Sequence, residues 1–108
     1  LLPLDLVILG IGEDGHTASL FPGHPLDPGA VVVAVDGAPK PPAQRVSLGL
    51  SVLRGARRRL VLATGAGKAA AVAAWRRGEP LPIQQATAGV ETRVLLDRAA
   101  APELSTNG

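Results

Sequence analysis

Apolar positions along this chain gather into short runs divided by glycine, proline and charged residues. The run Leu4-Asp5-Leu6-Val7-Ile8-Leu9 is β-branched and nearly uncharged, which predicts a strand buried on both faces that empties into a glycine turn. Residues 30–35 predict a second strand, and the alternating residues 45–50 a third. A short helix over 51–56 follows, with Ser51 as its cap. Residues 59–64 predict another buried strand, which also runs into glycines, here Gly65 and Gly67. The alanine-rich stretch 68–77, stopped by Gly78, predicts a helix. Residues 91–97 predict the last strand and 98–108 a loose tail. Between these, residues 17–20 allow one helical turn before Phe21-Pro22-Gly23 ends it. Residues 24–29 read as a surface loop, and the proline-rich stretch 36–44 as an exposed excursion. Strands alternating with turns and helices indicate the α/β class. There is no internal repeat and no linker dividing two cores.

Both glycine turns fall at the carboxyl end of a predicted strand, where ligands sit in open α/β sheets. At the first, Asp14 and His16 bring a carboxylate and an imidazole to a corner that glycine allows to be sharp. Two readings stand side by side. In one, His16 is a general base, Asp14 orients it across Gly15, and amides from Gly12 through Gly15 donate to an oxyanion or a phosphate. In the other, His16 is a surface residue and Asp14 caps a short helix through the amide of His16 or Thr17. At the second turn, Thr64-Gly65-Ala66-Gly67-Lys68, exposed amides, a helix dipole and an ammonium group favour an anionic phosphate. The glycine spacing is too short for a Walker P-loop, and no Ser or Thr follows Lys68. Trp75 falls at helical spacing with Ala71 and Val72 and reads as core, while His24, among prolines, reads as solvated.

Composition narrows the class. At 108 residues and 46% hydrophobic the chain fits one domain or part of one, and with 2% aromatic residues its core must be aliphatic. The absence of cysteine excludes disulfides, thiolate metal ligands and a thiol nucleophile, and leans toward a cytoplasmic enzyme. Net charge is +2. The block from Arg54 to Arg59 carries no interleaved aromatic residues for base stacking, so it reads as a solvated helix end rather than a nucleic-acid surface. No apolar stretch is long enough to span a membrane, and the start lacks the order of a signal peptide. Neither nucleic acid nor membrane is expected as a partner.

The string GIGEDGHTASLFPG, from Gly10 to Gly23, resembles the signature of the glucosamine-6-phosphate isomerase/6-phosphogluconolactonase family, in its lactonase branch. The resemblance continues at Arg45-Val46-Ser47-Leu48, at residues 62–69 and at residues 94–100. It implies a doubly wound, mostly parallel Rossmann-like sheet of the sugar-phosphate isomerase type. It also implies hydrolysis of 6-phosphogluconolactone to 6-phosphogluconate in the oxidative pentose phosphate pathway, with no cofactor and no metal. His16 would be the general base, helped by Asp14. Gly12 and Gly15 would lie at the substrate, Lys68 and Gly65 would hold its phosphate, and Arg45 would be a second cation. In the isomerase and deaminase branch a glutamate stands near the proline where this chain has Phe21. An apolar ring relays no proton, so the resemblance points to the lactonase branch.

The resemblance spans nearly all 108 residues but only the carboxyl-terminal half of the family's domain. The amino-terminal half, with its glycine- and serine-rich sugar-phosphate loop, has no counterpart here. The expected partners are a phosphorylated sugar lactone and, through the sheet surface so exposed, the missing half or a second copy. A non-catalytic, sugar-phosphate-binding remnant is the alternative function, and an amino-sugar-phosphate isomerase or deaminase the next.

Overall fold

A computed structural model of the chain describes residues 2–102. Three strands, β1 (Leu6–Gly10), β4 (Arg58–Ala63) and β5 (Thr92–Leu96), form a parallel sheet in the order β1-β4-β5, and β2 (Val32–Val35) pairs antiparallel with β3 (Arg45–Leu48) in a separate hairpin. Three helices connect them: α1 (Leu50–Gly55), α2 (Ala69–Arg76) and α3 (Pro82–Thr87). The class is α/β with a parallel sheet, as the alternation of elements predicts.

Side chains alternate across each strand, so one face of the sheet meets the helices. Val7 and Leu9 of β1 and Val61 and Ala63 of β4 are buried there against Leu53, Val72 and Ile83 of the three helices. Trp75 packs against this aliphatic cluster, as its spacing predicts, and its indole N–H donates to Thr87 Oγ1 at 3.2 Å.

Several expectations are corrected. β1 is buried on one face only: Leu6 is 50% and Ile8 61% exposed, because no described element packs over them. Residues 17–20 are not a helical turn but a tight reversal closed by Leu20 N–H to Thr17 O at 2.9 Å, and Ala18 sits at φ 51°, which no right-handed helix accepts. The cap position of α1 is Gly49, not Ser51, and no side chain caps it. The arginine block is not a uniformly solvated helix end. Arg54 lies in the last turn of α1, but Arg59 belongs to β4 and is 3% exposed. Strand alternation turns it inward, where its Nη1 donates to the carbonyls of Leu53, Arg54 and Ala56 at 2.7–2.9 Å and its Nε to Glu91 O at 3.1 Å.

The sequence expectation has no element at α3. Pro82, Ile83, Ala86 and Thr87, all buried, have the spacing of one helical face, but six residues are too short a stretch for that spacing to stand out in sequence, and a proline at the first helical position starts the helix. His24 is not simply solvated, since its ring lies 5.8 Å from Phe21 and its Nδ1 is buried. The expected loose tail is contradicted at Ala100 and Ala101, which are buried in the core; residues 103–108 of that expectation lie outside the described residues.

Candidate active site

β1 and β4 are parallel neighbours, with Gly10 opposite Leu62, so the two glycine turns leave the sheet side by side at its carboxyl end. The turn after β1 is closed by its own backbone: Gly12 N–H donates to His16 O at 2.8 Å and Gly15 N–H to Gly12 O at 2.9 Å. Thr17 Oγ1 donates to Gly10 O at 2.9 Å and ties the end of the turn back to the strand. The amides of Gly12 and Gly15, expected to face a ligand, are thus engaged inside the loop.

Close approach explains both glycines. A Cβ at Gly12 would stand 1.9 Å from His16 Nδ1, so only glycine leaves room for the imidazole over the backbone. Gly15 has φ +88°, and a Cβ there would meet Leu81 Cδ1 at 2.7 Å. The segment entering α3 braces this corner, with Ile83 N–H donating to Gly15 O at 3.1 Å.

Asp14 and His16 are brought together. Asp14 Oδ1 accepts from the His16 backbone N–H at 3.0 Å and lies 2.6 Å from His16 Nδ1. The capping bond and the orienting bond considered from spacing alone therefore coexist on one oxygen, although no helix follows. Burial raises the Asp14 pKa, but the backbone and side-chain hydrogen bonds from His16 and the charge of its ring outweigh that and hold the carboxyl below its usual value. An ionised acceptor at Nδ1 puts the neutral ring's proton on that nitrogen and leaves Nε2 with its lone pair. His16 also packs against Phe21, ring centroids 4.7 Å apart and planes tilted by 45°, and its side chain keeps 28% of its surface open.

Arg45 joins the same cluster. Its guanidinium lies 5.4 Å from the Phe21 centroid and donates to Lys40 O at 2.7 Å and Pro42 O at 3.0 Å. The hairpin that carries it is pinned to the turn by Ser19 N–H, which donates to Ser47 Oγ at 3.1 Å.

The turn after β4 is a single 3₁₀ turn, Ala66–Lys68, with Lys68 half-buried at the start of α2. Gly65 N–H donates to both oxygens of Asp97 at 3.0 and 3.1 Å, and Asp97 Oδ1 also accepts from Ala100 N–H at 2.8 Å. Glu13 links the turns, since its Oε1 lies 3.2 Å from where a Cβ of Gly67 would be. Sequence reasoning assigned nothing to Asp97, Glu13 or Leu81. For Asp97 a signal existed: an acid just past a strand, level with the other two strand ends.

The family of glucosamine-6-phosphate isomerases/6-phosphogluconolactonase matches residues 1–95. The 6-phosphogluconolactonase of Rattus norvegicus is 45% identical over 106 residues, which cover 94% of this chain and 41% of the rat protein. That of Streptomyces coelicolor is 45% identical over 106 residues, covering 93% and 40%. The solved structure of 6-phosphogluconolactonase from Thermotoga maritima superposes with a TM-score of 0.80 at 28% identity, over 89% of this chain and 44% of that one. The chain spans about two-fifths of the length of these relatives and matches their carboxyl-terminal part. By sequence and by fold, the chain belongs to the glucosamine-6-phosphate isomerase/6-phosphogluconolactonase family.

Proposed function

We propose that this chain carries the general-base half of a 6-phosphogluconolactonase site and acts, as part of a complete domain, in hydrolysing 6-phosphogluconolactone to 6-phosphogluconate in the oxidative pentose phosphate pathway. The observation that carries this reading is the 2.6 Å contact between Asp14 Oδ1 and His16 Nδ1 at the carboxyl end of a parallel strand. His16 Nε2 takes a proton from water as the water oxygen adds to the lactone carbonyl. The tetrahedral intermediate collapses with cleavage of the ring C–O bond, and the departing alkoxide takes up a proton as the His16 imidazolium releases its own, which returns the ring to the neutral base. Asp14 holds the ring in place and stabilises the imidazolium formed between these steps.

The Lys68 ammonium binds the phosphate remote from the reacting carbonyl, with Arg45 as a second cation on the Phe21 side. Gly12, Gly15 and Gly65 contribute by shape, because their amides are bonded to His16, Gly12 and Asp97. Phe21, buried at 2% exposure, disfavours the isomerase or deaminase reading, which needs an acid there. A non-catalytic binding remnant remains the competing reading.

Steady-state kinetics on a complete domain containing this chain tests the assignment. His16→Ala should lower kcat by about 100-fold to 10,000-fold with substrate affinity largely kept, as expected on losing a general base. Lys68→Ala should mainly raise KM, and less so for a lactone without phosphate, because a cation on a non-reacting group binds ground and transition states alike. Near-normal turnover in His16→Ala would remove the histidine from the mechanism and favour the binding remnant.

A further inference from the structure

We propose that Glu13 determines which lactones this site accepts: its carboxylate takes hydrogen bonds from the hydroxyl groups that lie between the reacting carbonyl and the phosphate of the substrate. The proposal deepens the lactonase reading and rests on it.

Glu13 starts on one turn and ends on the other. It stands three residues before His16 on the turn after β1, and its carboxylate lies against Gly67 of the turn after β4, the residue before Lys68. A Cβ at Gly67 would be 3.2 Å from Glu13 Oε1 and 3.5 Å from its Cδ, so the bare glycine lets the carboxylate come down onto the turn. β1 and β4 are adjacent strands, and the side chain crosses the gap between their carboxyl ends.

The neighbouring acids are already committed to N–H groups of the protein. Asp14 accepts from His16, and Asp97 from the amides of Gly65 and Ala100. Glu13 is exposed, and among the described residues it has neither a hydrogen bond nor an ion pair. Its two oxygens are open to a donor from outside the chain.

A phosphorylated sugar lactone brings such donors to this place. With its carbonyl at His16 and its phosphate at Lys68, the carbons that carry its hydroxyls lie between the two turns, where the Glu13 carboxylate is. An ionised carboxylate only accepts hydrogen bonds, and hydroxyls are the donors this substrate offers. Bonds of this kind are charge-assisted and strong. The phosphate itself is repelled by the carboxylate, which leaves it to the Lys68 ammonium and the hydroxyls to Glu13.

Kinetics and binding on a complete domain containing this chain test the proposal. Glu13→Ala should raise KM for 6-phosphogluconolactone about tenfold with kcat little changed, because a bond to a non-reacting hydroxyl serves ground and transition states alike. Glu13→Gln, which keeps one acceptor oxygen without the charge, should fall between Glu13→Ala and the wild type. Phosphorylated lactones that each lack one hydroxyl complete the cycle: the wild type should lose affinity for at least one of them, and on that one Glu13→Ala should make no further difference. Calorimetric binding of 6-phosphogluconate, which carries the same hydroxyls, should weaken by a similar factor in Glu13→Ala. That measurement needs no turnover, so it still decides the role of Glu13 if His16→Ala shows the histidine to be outside the mechanism. Unchanged KM and unchanged 6-phosphogluconate binding in Glu13→Ala would overturn the proposal. A KM that falls in both variants would overturn it too, since the carboxylate would then only repel the phosphate. So would an equal loss in Glu13→Ala on every lactone that lacks a hydroxyl, which would make Glu13 a brace between the turns.

Discussion

At the residue scale, one oxygen of Asp14 fixes both the backbone and the ring of His16. Asp14→Asn keeps an acceptor for the backbone N–H but removes the charge that stabilises an imidazolium, so kcat in a complete domain should fall while KM changes little. The pH dependence of stability follows from the direction of the shift. The folded carboxyl titrates below its ordinary value of 3.8, so on acidification the unfolded chain takes up the proton first. The contribution of Asp14 is therefore fully present above 3.8 and is lost as pH falls through the lower folded value. Urea unfolding of the wild type and Asp14→Asn should differ most above that range and converge in stronger acid. A difference that grows on acidification would contradict the assignment.

At the element scale, the turns are held by residues from other elements. Asp97, just past β5, grips the Gly65 amide of the turn after β4, and Leu81, before α3, fills the space a side chain at Gly15 would need. Arg59 performs the same service for α1. Its guanidinium lies on the last carbonyls of that helix, where a positive charge meets the negative end of the dipole. Burial, aided by the nearby Arg54 charge and opposed by Glu91, lowers the Arg59 pKa from its usual value. Arg59→Met keeps the stem and strands those carbonyls, so it should destabilise by about 1–3 kcal/mol. Thermal or urea unfolding checks this, and a neutral result would mean that water replaces the guanidinium.

At the scale of the whole molecule, the core is one-sided. Among the described residues the helices bury Val7, Leu9, Val61 and Ala63 while Leu6, Ile8, Leu62 and Leu95 face outward, and a group of exposed apolar side chains on one sheet face favours association. Alone, the chain should elute larger than a monomer in a concentration-dependent way and show little or no lactone hydrolysis, despite carrying His16. Size-exclusion chromatography and a lactonase assay on the purified chain decide this. A monodisperse monomer that unfolds cooperatively and hydrolyses 6-phosphogluconolactone would show that the half domain suffices.

What the sequence determined by itself was local. Apolar runs ending in glycine located β1 and β4, and the string from Gly10 to Gly23 placed Asp14 and His16 on one corner and carried the family, because strand propensity and turn chemistry act between near neighbours. The alanine-rich run located α2 for the same reason. Tertiary structure decided what depends on distant partners: that Asp97 holds Gly65 across 32 residues of sequence, that Arg59 turns inward to carbonyls, and that α3, with weak local signal, braces Gly15. It also decided which face of β1 is covered. A run of apolar residues states that a strand can be buried on both sides, but only the elements packed around it determine how many sides are, and here they cover one.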